Sequence, residues 1–196
     1  MLSEQFHKVT QGEPPRELAK KIIKYLDNNS LILDCGSGAG NDTIFFASQG
    51  HRVIALDKET SILESRLKNL VDINDKIIIR KSDITNFEIE EIDCFYSSLT
   101  LSFLCRKDFY VLWNNISNKL KEQTIIGINI FGDKDEWYKD TEDMTFMNKE
   151  EFTSLFSNLT VLEFSESEKL GTYMGRDGLP RSKKWHVFEC VAQKSK

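Results

Sequence analysis

The sequence predicts a three-layer α/β fold, a mostly parallel sheet between two layers of helices, with one reversed strand near its end. Three observations predict it. Short apolar runs alternate with segments of helical period along most of the chain, and parallel strands need an intervening helix for their right-handed crossover. A glycine-rich turn, Gly36 to Gly40, lies between the first of these runs and the helix that follows. The last two apolar runs are joined by about 20 residues without helical period, including Gly171, Gly175, Gly178 and Pro180, which suits an antiparallel pair with a long loop.

The elements follow in order. Pro14-Pro15 opens the first helix, where a missing N–H costs nothing, and Leu18, Ile22, Ile23 and Leu26 recur at helical spacing. Leu31 to Leu33 is a short strand ending in Asp34 and the glycine turn. A helix through Thr43 to Ser48 leads to a strand from Arg52 to Leu56 that ends at Asp57. Ile62, Leu63, Leu67 and Leu70 mark the next helix, and Ile77 to Ile79 a third strand. Ile92 to Ser97 reads as a fourth. Phe109, Leu112, Trp113, Ile116 and Leu120 form the apolar stripe of an amphipathic helix. Thr124 to Phe131, β-branched and apolar, is a fifth strand. Phe152, Leu155 and Phe156 give a last helix, and Val161 to Phe164 and Trp185 to Ala192 the closing strands.

Composition narrows the function. The 196 residues suit one domain spanning 1–196, with 1–14 as an N-terminal lid. Hydrophobic residues make up 40% and charged residues 29%, enough for a core and a water-facing surface. A net charge of −5 and a pI near 5.3 leave no basic footprint for nucleic acid or for an anionic membrane. Residues 1–15 carry no apolar stretch like a signal peptide, and no run approaches the roughly 18–20 apolar residues of a membrane span. The cysteines, Cys35, Cys94, Cys105 and Cys190, are scattered without Cys-x-x-Cys spacing or nearby histidines. They are expected to be free thiols in a cytoplasmic protein with no metal site.

The chemistry lies in Asp34-Cys35-Gly36-Ser37-Gly38-Ala39-Gly40. Glycines there let the backbone turn tightly and approach a ligand without Cβ interference, and ligands of open α/β sheets bind at the carboxyl ends of the strands. Asp57 follows Gly36 by 21 positions and can accept both ribose hydroxyls of an adenosine. A dinucleotide fingerprint would read Gly-x-Gly-x-x-Gly; here the third glycine comes one residue early and Asp34 precedes the loop. A carboxylate beside the site suits a cationic ligand better than a diphosphate. S-adenosylmethionine carries a sulfonium and an ammonium and no phosphate, so it is favoured over NAD. Asp83 and Ile84, after the third strand, stand where an adenine would sit. Ser98, after the fourth, faces the reacting centre, although serines there also serve as caps and turns.

Together these residues resemble the class I S-adenosylmethionine-dependent methyltransferases, and within them the small bacterial group related to tellurite-resistance methyltransferases. The resemblance runs from Gly12-Glu13-Pro14-Pro15-Arg16 through Leu33 to Gly40 and on to Phe131-Gly132-Asp133-Lys134-Asp135-Glu136-Trp137. It ends at Lys184-Trp185-His186-Val187-Phe188. It implies a Rossmann-like methyltransferase fold, with a seven-stranded sheet whose last strand is antiparallel. It also implies that Gly36, Gly38 and Gly40 cradle the methionine part, Asp57 takes the ribose and Asp83 with the Ile84 backbone the adenine, with Asp34, Ser37, Lys58 and Ser98 as further candidate contacts to the cofactor. No Asn-Pro-Pro-Tyr or Asp-Pro-Pro-Tyr follows the fourth strand, which disfavours amide and base amino methylation.

Three loops share the carboxyl edge with the donor: Ser98 to Arg106, Gly132 to Asn148 and Glu168 to Lys183. Trp137, Tyr173 and Arg176 on them, and Trp185 at the start of the last strand, are candidate contacts to a small acceptor. A thiolate or an oxyanion such as tellurite or selenite needs little beyond alignment; an alcohol or amine needs a base, first His186 and second Asp133. Both have plain structural readings, a hydrogen-bonded strand residue and a solvated loop. The competing functions are an NAD-dependent oxidoreductase, a non-catalytic module that binds the donor or its product, and group transfer of the polyamine-synthase kind.

Overall fold

The computed structural model describes residues 2–88, 91–139, 141, 143–175 and 179–195, with side chains from residue 5 onward. Helix α1 (Leu2–Thr10) precedes α2 (Glu17–Ile22), which tightens into a 3₁₀ turn at Ile23–Tyr25. Then come β1 (Leu31–Cys35), α3 (Asn41–Ser48), β2 (Arg52–Asp57), α4 (Ser61–Leu67), β3 (Ile77–Lys81) and β4 (Cys94–Ser97). The second half holds α5 (Arg106–Lys119), β5 (Ile125–Gly132), β6 (Phe146–Met147), α6 (Lys149–Ser154), β7 (Leu159–Met174) and β8 (Pro180–Lys194). The sheet runs β3-β2-β1-β4-β5-β8-β7, and β8 is antiparallel to both of its neighbours. The strand order therefore steps outward from β1 in both directions, which places the ends of β1 and β4 at the crevice where such sheets bind ligands. The two-residue β6 pairs with Phe131 and Gly132, beyond the point where β4 ends at Ser97.

Alternation along the strands divides the core into two layers. Leu33, Ile54, Phe95, Ile126 and Ile128 face α5 and α6, with Phe109, Trp113 and Phe152. Ile32, Val53, Ala55, Cys94 and Tyr96 face α2, α3 and α4, with Leu18, Ile22, Phe46 and Leu63. Among the described residues, no helix is long and apolar enough to cross a membrane.

The structure corrects the reading in three places. Pro14 and Pro15 precede the helix instead of forming its first turn; Arg16 is its N-cap and Glu17 its first residue. Residues 2–10, expected only as a lid segment, are helical. The long loop expected before the last strand is a β-hairpin, paired from Leu159↔Lys194 to Met174↔Pro180 with one irregularity between Val161 and Glu163. Only its root belongs to the sheet. Phe131↔Val187 is the last pair that β5 makes with β8, so the stretch from His186 back to Pro180 continues past the carboxyl end of β5 as a two-stranded arm. Much of the arm's outer stretch faces solvent, so its strand-forming residues need not be apolar, and Ser165-Glu166-Ser167-Glu168-Lys169 gives no strand signal.

Candidate functional site

The glycine turn connects β1 to α3 with Gly36, Gly38 and Gly40 all at positive φ (85°, 54° and 78°). Two of the three are also forced by contact: a Cβ on Gly36 would fall 2.2 Å from Thr100 Oγ1, and one on Gly40 2.3 Å from Leu63 Cδ1. Leu56 carbonyl accepts the Gly36 and Ser37 amides at 2.8 and 3.1 Å. Asp57, at the end of β2, accepts the Gly38 amide on Oδ2 (2.8 Å) and the Glu59 amide on Oδ1 (3.0 Å). Arg66 of α4 donates to Ala39 carbonyl and Asn41 Oδ1 at 2.5 and 2.7 Å. The turn is thus braced from two elements, β2 and α4, and Asp57 keeps lone pairs for a further donor.

Asp34 follows Ile32 by two positions and so points to the α3 face of the sheet. It is 2% exposed, and Thr43 Oγ1 donates to its Oδ2 at 2.5 Å. Burial first, then the neighbouring Asp42 and Asp57, pushes its carboxyl up to about 8. Asp42 is itself held by Tyr96 Oη and the Arg16 amide, each at 2.7 Å. Carboxyl groups crowded beside one turn disfavour a diphosphate, and a cationic ligand would favour their ionised forms. Burial also pushes the Cys35 thiol far up, so no thiolate stands there.

At the end of β3, Asp83 accepts the Thr85 amide and hydroxyl (2.9 and 2.8 Å) and pairs with Lys58 at 2.7 Å. Lys58 and Thr85 hold its carboxyl down to about 2. Ser82 amide bonds to Asp57 carbonyl at 3.0 Å, so the loops after β2 and β3 meet. Asp34, Gly36, Ser37, Gly38, Gly40, Asp57, Lys58, Asp83 and Ile84 therefore lie along one edge. Ser37 Oγ and the Nδ1 of His7, from α1, are buried there without a hydrogen-bond partner among the described residues. A cradle without Cβ atoms, acceptors and unpartnered polar atoms fit a ligand that is polar, cationic at one end and rich in hydroxyls.

After β4, Leu99 sits at φ 52°, a conformation a branched side chain seldom adopts. Asn129 of β5 fixes it, accepting the Leu99 amide at 2.6 Å and donating to Ser98 Oγ at 3.1 Å. Trp137, Tyr173 and Trp185 do come together, with Trp137 ring centroids 4.9 Å from Tyr173 and 5.5 Å from Trp185. The space they share already holds a cation. Lys183 Nζ lies 3.8 Å from the Trp137 centroid and 4.0 Å from that of Trp185, paired with buried Asp135. Asp135 also accepts the Trp137 and His186 amides at 3.0 and 3.1 Å. Arg176 lies outside the described residues.

His186 is 1% exposed. Lys134 amide donates to its Nδ1 (3.1 Å), which assigns the proton to Nε2, and Nε2 donates to Glu166 at 3.1 Å. Both nitrogens are occupied by the protein. Asp133 is more open, 41% exposed, at the mouth of a cleft shared with Lys134, Glu136, Tyr138 and Lys184. His186, Glu166 and Glu168 approach a metal-like grouping, but Lys134, Lys149 and Lys184 neutralise those carboxylates. Sequence reasoning missed His7, Thr43, Asn129 and Lys183. Only Asn129 carries a signal, an amide within an otherwise apolar strand.

Residues 32–123 match a family described as a methyltransferase domain, which covers β1 through the glycine turn to the end of α5. No curated protein matches the chain in sequence. Among solved structures it resembles TehB from Haemophilus influenzae, with a TM-score of 0.72 and 19% identity over 90% of this chain. The match spans 61% of the length of that TehB chain. It also resembles the 1,6-didemethyltoxoflavin-N1-methyltransferase of Burkholderia thailandensis, with bound 1,6-didemethyltoxoflavin and S-adenosylhomocysteine (TM-score 0.68, 16% identity, 92% of this chain and 78% of that one). A third is the N-methyltransferase NodS of Bradyrhizobium japonicum WM9, in complex with S-adenosylhomocysteine (0.68, 15%, 94% and 90%). At these identities the likeness is one of fold.

Proposed function

From a chain that carries a methyltransferase domain of class I, the S-adenosylmethionine-dependent kind, we propose an enzyme that methylates a small molecule with a nucleophilic thiol, oxyanion or similar group. The observation that carries this reading is Asp57 at the end of β2, bonded across the turn to the Gly38 amide. It ties a hydroxyl-binding carboxylate to a backbone cradle that would hold the methionyl part. The Gly36 to Gly40 backbone, Asp34 and Ser37 would hold the amino-acid end, Asp57 the ribose, and Asp83 with Ile84 the adenine, Lys58 keeping Asp83 ionised. When bound, S-adenosylmethionine supplies a methyl group on a sulfonium that is already a good leaving group.

The chain then has to align an acceptor and exclude water, and alignment of this kind is worth about 7–11 kcal/mol of barrier. Ser98, Leu99 and Asn129 form the floor beside the donor. The arm, with Trp185 and Tyr173, and Trp137 on the loop after β5 form a wall at the same edge. Since Lys183 fills the aromatic cluster, these rings shape the wall and do not cage a ligand cation. An acceptor that is an anion at neutral pH needs no base. For one that must lose a proton, Asp133 is the better placed group, and His186 acts by positioning the Asp133–Lys134 backbone.

The test is transfer of radiolabelled methyl from the donor to a panel of thiols, oxyanions including tellurite and selenite, phenols and amines. Labelled product from a thiol or oxyanion, with S-adenosylhomocysteine formed one for one, is expected. Donor binding without transfer to any member of the panel would favour a non-catalytic donor-binding module.

A further inference from the structure

We propose that His7 of α1 is part of the donor site and hydrogen-bonds the amino-acid end of the bound methyl donor. Three observations carry this. His7 is 5% exposed, and its ring lies against the glycine turn, Nε2 being 3.6 Å from where a Cβ on Gly38 would stand. Its Nδ1 is buried without a hydrogen-bond partner, and so is the hydroxyl of Ser37, the residue beside Gly38. Only one other such side-chain atom, His51 Nδ1, occurs among the described residues. Buried polar atoms are nearly always partnered in a folded protein, and two exceptions, one on the turn and one on a ring packed against it, point to a missing third party.

The position of α1 is built. Asn41, the first residue of α3, donates to Thr10 carbonyl at 2.8 Å and accepts the Gly12 amide at 3.0 Å. Asp42 accepts the Arg16 amide at 2.7 Å. The helix after the glycine turn therefore anchors the segment that carries His7 over that turn.

Charge complementarity selects the end of the donor that His7 meets. The side chains known at the turn, Asp34, Asp42 and Asp57, are acceptors or acids, suited to an ammonium and to hydroxyls. The donor's carboxylate needs N–H and O–H donors instead. Among the described residues, His7 and Ser37 are the buried side chains beside the turn that have a polar atom without a partner. This inference rests on the methyl-donor reading and deepens it.

Calorimetric titration of the parent protein and of His7→Phe with two probes tests it: S-adenosylhomocysteine, and 5′-methylthioadenosine, which lacks the amino-acid end. The variant is expected to bind S-adenosylhomocysteine about tenfold or more weakly, as for loss of a bond to a charged group, and 5′-methylthioadenosine as the parent does. Loss on neither probe, or equal loss on both, overturns the assignment. Without ligand, the variant is expected to melt no lower than the parent, since carbon replaces an unpartnered nitrogen. A lower ligand-free melting point, or a variant that does not fold, assigns His7 to the fold and overturns it too. If the parent binds neither probe, the methyl-donor reading itself falls, a result distinct from each of these.

Discussion

Asp34 and Asp57 stand on adjacent strands and meet the same turn from opposite conditions. Asp57 is part-buried and accepts backbone amides, whereas Asp34 is buried with only Thr43 as a side-chain partner. With its carboxyl at about 8 in the fold and 3.8 as the ordinary value, Asp34 is mostly protonated at pH 7. The folded chain then holds more protons than the unfolded one between those values, so this group erodes ligand-free stability as pH rises from about 4 to 8. A cationic ligand favours the ionised form and lowers that value. Binding of S-adenosylhomocysteine, which keeps its ammonium, should expel a fraction of a proton at pH 7 and tighten as pH rises from 6 to 8. Titration in two buffers of different ionisation enthalpy reads this directly; identical enthalpies in both would count against it. Asp57→Ala should weaken the same ligand by about 1.5–3 kcal/mol, roughly 10- to 150-fold. Both carboxylates were legible in the sequence because each closes an apolar strand at a fixed distance from the glycines. His7 was not, since a lone histidine in a polar segment carries no sign of what will lie beneath it.

At the scale of elements, the arm is the least expected feature. A two-stranded ribbon is marginal in water by itself, and its root is held where Lys183 meets Asp135 under Trp137 and Trp185. Removing either partner leaves a buried charge, but unequally. Lys183→Met leaves Asp135 with two backbone amide donors, while Asp135→Ala strands an ammonium and both amides. In urea denaturation Asp135→Ala should cost about 3–5 kcal/mol, the range for breaking a buried pair, and Lys183→Met less. The reverse order would show that the aromatic faces, and not the carboxylate, hold the lysine. The helices and sheet strands flanking the core were legible because burial imposes a period on their apolar residues. The arm and the two-residue β6 have no such constraint: the outer arm is largely solvated, and two residues are too few to show any period.

Over the whole molecule, the parallel half carries the proposed donor edge and the antiparallel end the proposed wall beside it. This division makes the two halves separable by experiment. Replacing residues 173–181 with an Asn-Gly turn closes the hairpin at Thr172↔Ser182. That variant should keep its affinity for S-adenosylhomocysteine and lose at least about tenfold in methyl transfer, as expected when acceptor alignment is lost. Equal activity would place the acceptor elsewhere. The mostly parallel sheet and the reversed strand were readable from alternation and the missing last helix. The identity of the acceptor was not, because it depends on the shape between loops whose sequences show no period. The central claim is that the turn after β1 holds an adenosyl compound with a charged amino-acid end and no phosphate. Parallel calorimetric titrations with S-adenosylhomocysteine and with NAD test it most directly. Saturable one-to-one binding of S-adenosylhomocysteine with no heat from NAD is the result expected; binding of NAD alone would contradict it.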